Sequence, residues 1–315
     1  MGPVHYGGVP YRLTPVSSPG GPGRLNATTF IKGTNMRIPI ILAILALAAG
    51  ASGQRDFSKV KITTTHVAGN VYLLEGAGGN IAVSVGEDGI LMVDAQFAQL
   101  APKIEAALAE ISKGDLKFLL NTHYHGDHTG GNPAFGDRTL IFAHHNARRR
   151  LADKAPEGWP VVTFDEGLSI HFNGEEIVAR HYPAAHTDGD VLVHFTTSNV
   201  VHIGDLFFSG RFPYVDRAGG GDAAGYLRAV KRMADDLPPD VLIVSGHSTV
   251  TTPDSLRRYH AALTEQVAFI RAGMDHGRNL EQLLKQGLPA KWHGWGWSLV
   301  PEEKWIEAVF ESEGG

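Results

Sequence analysis

The sequence predicts a mixed α and β domain, and three observations carry that expectation. Short apolar runs rich in Val, Ile and Leu recur between Gly, Asp and Asn residues, as in Val71–Leu74, Ile81–Val85 and Ile90–Val93. Longer stretches space their apolar residues three and four apart, as Ile104, Leu108 and Ile111 do. No internal repeat organises these runs.

Taken in order, Val60–Thr65, Val71–Leu74 and Ile81–Val85 read as strands, with Gly76, Gly78 and Gly79 breaking the second from the third. Glu87-Asp88-Gly89 is a hairpin-type turn leading into the strand Ile90–Val93. Pro102–Ile111 reads as an amphipathic helix, since Pro is tolerated in a first turn. Lys117–Leu120 ends a short buried strand, and Ala143–Leu151 reads as a second helix. Leu168–Phe172, Glu176–Arg180, Val191–Phe195 and Val200–Ile203 follow as strands, then the helix Ala223–Leu237 and the buried strand Val241–Val244. Thr252 caps a helix with Pro253 at its first position and Leu256, Leu263, Val267 and Ile270 as its inner stripe. Glu302–Phe310 forms a last helix.

A chain of 315 residues with 43% hydrophobic content can bury one large core. It has no cysteine, which excludes disulfides, thiolate ligands and a cysteine nucleophile. The formal charge of −5 and the lack of a long basic run argue against binding a nucleic-acid backbone.

Chemistry concentrates in Asn121-Thr122-His123-Tyr124-His125-Gly126-Asp127-His128-Thr129-Gly130-Gly131. His123, His125, Asp127 and His128 crowd one loop at a strand end. Imidazole nitrogen and carboxylate oxygen are the donors that a divalent first-row metal accepts, zinc above all. Three more candidates lie downstream: His186 in Ala185-His186-Thr187-Asp188, Asp205 in Ile203-Gly204-Asp205, and His247 in Ser245-Gly246-His247. Asp205 and His247 each follow an apolar β-branched run through one Gly, so a strand delivers each ligand to its end.

These seven residues, in this order, resemble the metallo-β-lactamase fold superfamily over roughly Val60 to His247. The resemblance implies an αβ/βα four-layer sandwich, with two sheets covered by helices. It implies one metal held by His123, His125 and His186, a second held by Asp127, His128 and His247, and Asp205 bridging the two. It further implies two zinc ions per chain and a metal-activated hydroxide as nucleophile. Asp127 would orient that nucleophile or carry a proton. Asp94 looks like the family's supporting aspartate, and a plain strand-end turn residue is its other reading. Asp205 departs from the cysteine that the best-known β-lactamase subclass uses nearby, and this looks more like a glyoxalase-II-type arrangement.

Other residues have blander readings. His144, His145, His181, His194 and His202 match no ligand position and read as structural or surface residues. Phe207, Phe208, Phe212 and Tyr214 either wall a substrate pocket or fill the core. Trp292, Trp295 and Trp297 either contact substrate or pack. Gly219-Gly220-Gly221 permits loop movement or makes a turn.

Residues 1–53 read as an N-terminal extension with a signal peptide, and 54–315 as the metallo-β-lactamase-fold domain. Met36-Arg37 precedes the apolar run Ile38–Ala49 and small residues through Gly53, the pattern of a secretory leader cleaved after Ala51 or Gly53. The run falls short of the roughly 20 residues of a membrane span, so no stable membrane anchor is expected. Residues 1–35 reflect an upstream start, with Met36 the initiator, or a genuine extension. Cleavage after Gly53 removes Arg12, Arg24, Lys32 and Arg37 and no acidic residue, leaving a more acidic protein.

The expected protein is therefore a periplasmic or secreted dinuclear zinc hydrolase. Its small-molecule substrate is an ester, thioester, lactone or amide, with β-lactams a subset. Two alternatives stand beside it: an iron-dependent sulfur dioxygenase of the same fold, and a non-catalytic metal-binding protein. A ribonuclease of this fold is opposed by charge and export.

Overall fold

A computed structural model describes residues 56–314. The expected signal peptide and extension, residues 1–53, lie outside the described residues. The elements run in chain order as β1 (Thr63–Ala68), β2 (Val71–Glu75), β3 (Ile81–Gly86), β4 (Gly89–Val93), α1 (Ala101–Ile111), β5 (Leu116–Leu120), α2 (Gly126–Thr129), α3 (Asn132–Phe135), β6 (Leu140–His144) and α4 (His145–Arg150). Then come β7 (Val162–Phe164), β8 (Gly167–Phe172), β9 (Glu175–Tyr182), β10 (Asp190–Phe195), β11 (Val200–His202), α5 (Ala223–Asp236), β12 (Leu242–Ser245), β13 (Ser248–Thr251), α6 (Pro253–Asp275), α7 (Leu280–Gln286) and α8 (Glu302–Ser312). No helix among the described residues is long and apolar enough to cross a membrane.

Strands β1 to β7 form one sheet in sequence order, and the second sheet runs β13-β12-β11-β10-β9-β8. Both sheets are mixed. Strands β4 to β7 are mutually parallel, as are β11 and β12, while the remaining pairs are antiparallel.

Period-two alternation sorts side chains between the layers. On β2, Leu73 joins the core between the sheets, where it meets Val93 and Leu120 and, from the other sheet, Ile177, Val193 and Val244. Its neighbour Leu74 faces the outer core beneath α1, with Ile81, Met92, Ile104 and Leu108. The other outer core lies under α5, α6 and α8, where Val201 and Ile243 meet Tyr226, Met233, Leu263, Ile270 and Trp305. The result is the αβ/βα sandwich, two sheets back to back with a helical layer on each outer face.

The structure corrects one element and adds others. Ala143 and His144 end strand β6, paired between β5 and β7, and the helix after them covers only His145–Arg150. The run Leu140–His144 is too short for its period to separate strand from helix, and pairing to two neighbours decides it. The first strand begins at Thr63, and β7, β13 and α7 are additional to the expected elements.

This topology collects strand ends. The carboxyl ends of β4, β5, β11 and β12 deliver Asp94, the His123 loop, Asp205 and His247, and the β9–β10 connection delivers His186. A parallel strand end is where an α/β sheet presents loops to a ligand.

Candidate metal centre

The loop after β5 is shaped from below by Asp94. This residue is fully buried and adopts φ 68, a left-handed conformation costly for a side chain with a Cβ. Its carboxylate compensates by accepting three bonds, from Thr122 N at 2.8 Å, Thr122 Oγ1 at 2.7 Å and His128 Nδ1 at 2.7 Å. Asp94 is thus a buttress of the loop, beyond a plain turn residue. Because Thr122 Oγ1 donates to Asp94, it accepts from His123 Nδ1 at 3.0 Å. After His125 the chain turns into α2, closed by the His128 N–H to His125 carbonyl bond at 3.0 Å.

Two glycines let this turn approach its neighbours. A Cβ on Gly79 would lie 2.2 Å from His128 Cε1, and one on Gly246 would lie 2.1 Å from Asp205 Oδ1.

All seven candidate ligands meet at this edge. His125 Nδ1 stands 3.1 Å from His123 Nε2 and 2.9 Å from His186 Nε2. Asp127 Oδ2 lies 3.2 Å from His247 Nε2 and 3.8 Å from His128 Nε2. Asp205 stands between the groups. Its Oδ2 is 3.6 Å from His186 Nε2, 4.0 Å from His123 Nε2 and 3.3 Å from His247 Nε2, and its Oδ1 is 3.2 Å from His128 Nε2. One carboxylate therefore reaches both clusters.

The far nitrogens are tied down. His186 Nδ1 donates to the Tyr214 carbonyl at 2.7 Å, and His125 Nε2 donates to Asp216 Oδ2 at 2.8 Å. With His123 and His128 held through Thr122 and Asp94, four imidazoles aim a defined nitrogen inward. Sequence reasoning missed the roles of Thr122 and Asp216, and read Tyr214 as a pocket-wall or core residue when its carbonyl is the acceptor for His186. None carries a local signal: Asp216 lies in a Gly-rich connection, and the Tyr214 contribution is a backbone carbonyl.

Electrostatics separates the clusters. Burial holds His123 well below the usual imidazole range and His186 at about 4, so both are neutral lone-pair donors. Burial opposes charge on His128 and His247 too, but nearby carboxylates prevail. Asp205, Asp94 and Asp127 hold His128 well above its ordinary value, and Asp205 and Asp127 raise His247 to about 9. Against the cost of burial, His128 and His247 keep Asp127 at about 2 and Asp205 well below its ordinary value. Without a metal, protons on two imidazoles balance the carboxylates, and a cation entering here displaces them.

The donor set fits metal ions. His128 Nε2 and Asp205 Oδ1 are buried without a hydrogen-bond partner. Such orphaned atoms are costly unless something else satisfies them. The three-histidine nitrogens, 2.9 and 3.1 Å apart along two edges, approach the roughly 3.3 Å edge of a tetrahedron with zinc–nitrogen bonds of about 2.05 Å.

The remaining candidates separate. Phe207, Phe208 and Phe212 are all core residues, and Phe208 also lies nearly parallel to His247, ring centres 6.0 Å apart. Trp292, Trp295 and Trp297 pack on the outer core, Trp297 against Phe208. Gly219 to Gly221 form a turn under Asp216 and His186. His202 is structural, bonded to the Asn80 carbonyl, and His144 stacks on His181.

Comparison with known proteins agrees with this architecture. The family model described as the metallo-beta-lactamase superfamily matches residues 64–247. A hydroxyacylglutathione hydrolase of Polaromonas sp. (strain JS666 / ATCC BAA-500) is 26% identical over 153 residues, 46% of this chain and 53% of the relative. An uncharacterized protein of Aquifex aeolicus (strain VF5) is 32% identical over 101 residues, 32% of this chain and 47% of the relative. The chain thus spans about half the length of these curated relatives. Among solved structures, a metallo-beta-lactamase from Pontibacter korlensis superposes with a TM-score of 0.59 at 16% identity, over 65% of this chain and all of that one. A double mutant of the sec-alkyl sulfatase PisA1 superposes with a TM-score of 0.64 at 14% identity, over 81% of this chain and 50% of that one.

Proposed function

Since the chain belongs to the metallo-β-lactamase superfamily, we propose that it is an exported dinuclear zinc hydrolase acting on a carbonyl ester, thioester, lactone or amide. The observation that carries this reading is the Asp205 carboxylate, set within reach of both nitrogen clusters. His123, His125 and His186 would hold one ion, Asp127, His128 and His247 the other, with Asp205 shared. When bound, such ions supply Lewis acidity and lower the pKa of water.

The chain's own residues do the rest. Asp127, the more exposed of the two site carboxylates, stays ionised and can orient the nucleophile by accepting a hydrogen bond from it. Its Oδ2 faces His247 Nε2 at 3.2 Å, which fixes the orientation of the carboxylate. The Phe208 ring lies nearly parallel to His247, ring centres 6.0 Å apart, and adds apolar surface beside it. An ester or thioester is favoured within the class, because several relatives are named hydroxyacylglutathione hydrolases. The acidic balance and lack of a basic run support a small molecule over a nucleic acid. The leader-like segment Met36–Gly53 supports a periplasmic or secreted location.

The test is metal analysis of the purified protein combined with thioester, ester, lactone and β-lactam substrates. Two zinc ions per chain and chelator-sensitive hydrolysis are expected. Iron-dependent oxygen consumption without hydrolysis would establish a dioxygenase instead. Metal-loaded protein inert on every class would leave a metal-binding protein. N-terminal sequencing of the exported protein should begin near Ser52 or Gln54, and intact cytoplasmic protein beginning at Met1 would end the export reading.

A further inference from the structure

Beyond Asp205, the connection between β11 and α5 carries Tyr214, Asp216 and Gly219, and the bonds this later part makes to the candidate ligands go to His125 and His186. Asp216 Oδ2 accepts from His125 Nε2 and from the Tyr124 hydroxyl, while Oδ1 accepts from Gly219 N at 2.8 Å. The Asp216 backbone N–H donates to the His186 carbonyl at 2.9 Å, and the Tyr214 carbonyl accepts from His186 Nδ1. One short segment thus fixes two of the three nitrogen donors in one cluster. The other cluster takes its orientation from Asp94, which holds His128 directly.

We propose that Asp216 is a positioning residue that sets metal affinity at the three-histidine position separately from the position of Asp127, His128 and His247. This rests on the reading that both clusters hold ions. The reason lies in imidazole chemistry. His125 must carry its proton on Nε2 for Nδ1 to present a lone pair beside His123 and His186. A carboxylate accepting from Nε2–H selects that tautomer, fixes the ring and raises the basicity of Nδ1. Tyr124 and Gly219 hold the carboxylate itself in place, and Arg150 flanks the Tyr124 ring, 5.4 Å from its centre.

Asp216→Asn keeps the shape but leaves only one acceptor oxygen for three donors. Its effect is read by stepwise metal release to a chromophoric chelator, and by proton NMR of the cobalt(II)-substituted protein, where exchangeable imidazole N–H signals report each ligated ring. Affinity at the three-histidine position should fall about 10- to 100-fold, with faster exchange of the His125 N–H signal. The other step should stay within about threefold of its original value, well under that loss. Tyr124→Phe, which keeps the His125–Asp216 bond and removes only one of the groups holding the carboxylate, should weaken the three-histidine step less than Asp216→Asn does and leave the other step unchanged. Equal weakening of both steps, or no weakening, in Asp216→Asn overturns the proposal while the dinuclear reading stands. Wild-type protein that takes up no metal overturns both. Circular dichroism checks the fold, and if Asp216→Asn fails to fold, Asp216→Glu is read by the same two measurements.

Discussion

Asp205 Oδ1 and His128 Nε2 face each other across 3.2 Å as a buried ion pair without an aligned hydrogen bond. A buried ion pair without an aligned hydrogen bond carries a desolvation cost, which a cation taking the place of the imidazole proton would relieve. The relationship joins the strand end of β11 to the turn after β5, so it exists only once the two sheets have packed.

Asp205→Ala removes the one carboxylate that reaches both clusters. Metal content should fall from two ions toward one, and turnover should drop by about two orders of magnitude or more. Elemental analysis and a hydrolysis assay on the same preparation check it. Unchanged stoichiometry would remove the shared role.

Asp94→Ala strands three buried donors, on Thr122 and His128. An unsatisfied buried group costs roughly 1–3 kcal/mol, so a loss of about 3–5 kcal/mol is expected, allowing for relaxation. Denaturant unfolding of the metal-free protein measures it without interference from bound ions. A loss below about 1 kcal/mol would mean Asp94 is not the buttress.

Gly246→Ala places a Cβ 2.1 Å from Asp205 Oδ1 and 2.9 Å from His128 Cε1. The Asp205 carboxylate must swing away, so metal affinity should weaken by at least about tenfold, with an overpacking cost of about 1–3 kcal/mol. Chelator competition and thermal melting report the two effects separately.

Stability should depend on pH through His144. Burial, and then the proximity of His181 and His145, push its pKa down to about 4 from the ordinary imidazole value of 6.5. The unfolded chain binds the extra proton between these values, so this contribution is complete above about pH 6.5 and is lost as pH falls toward 4. His144 Nδ1 also accepts from Asn146 N at the start of α4. Asn is a good helix cap without a titrating group, so His144→Asn should keep the cap and flatten the slope over that window. Unfolding of the metal-free proteins from pH 7 to 4 compares them, and parallel curves would count against this assignment.

Chelation should lower the melting temperature of the loaded protein, since a ligand that binds only the folded state stabilises it by mass action. Zinc should restore both melting temperature and hydrolysis. A melting temperature indifferent to chelator would show that the clusters hold no tightly bound ion.

The sequence by itself determined the alternation of strands and helices and named the residues that meet at the strand ends. Both signals are local: the short apolar run Val71–Leu74 bounded by Gly-containing segments, the three-four spacing of Ile104 and Leu108, and six residues holding His123 to His128. Only the tertiary structure decided that Leu140–His144 is a strand, because pairing with β5 and β7 outweighs an ambiguous short run. Only it chose which imidazole nitrogen faces inward, because that choice belongs to partners far along the chain. His125 meets Asp216 across 91 positions and His186 meets the Tyr214 carbonyl across 28. No local pattern encodes such a bond. It forms when two packed sheets bring their loops to one edge, where an unpaired buried imidazole would otherwise be left without an acceptor.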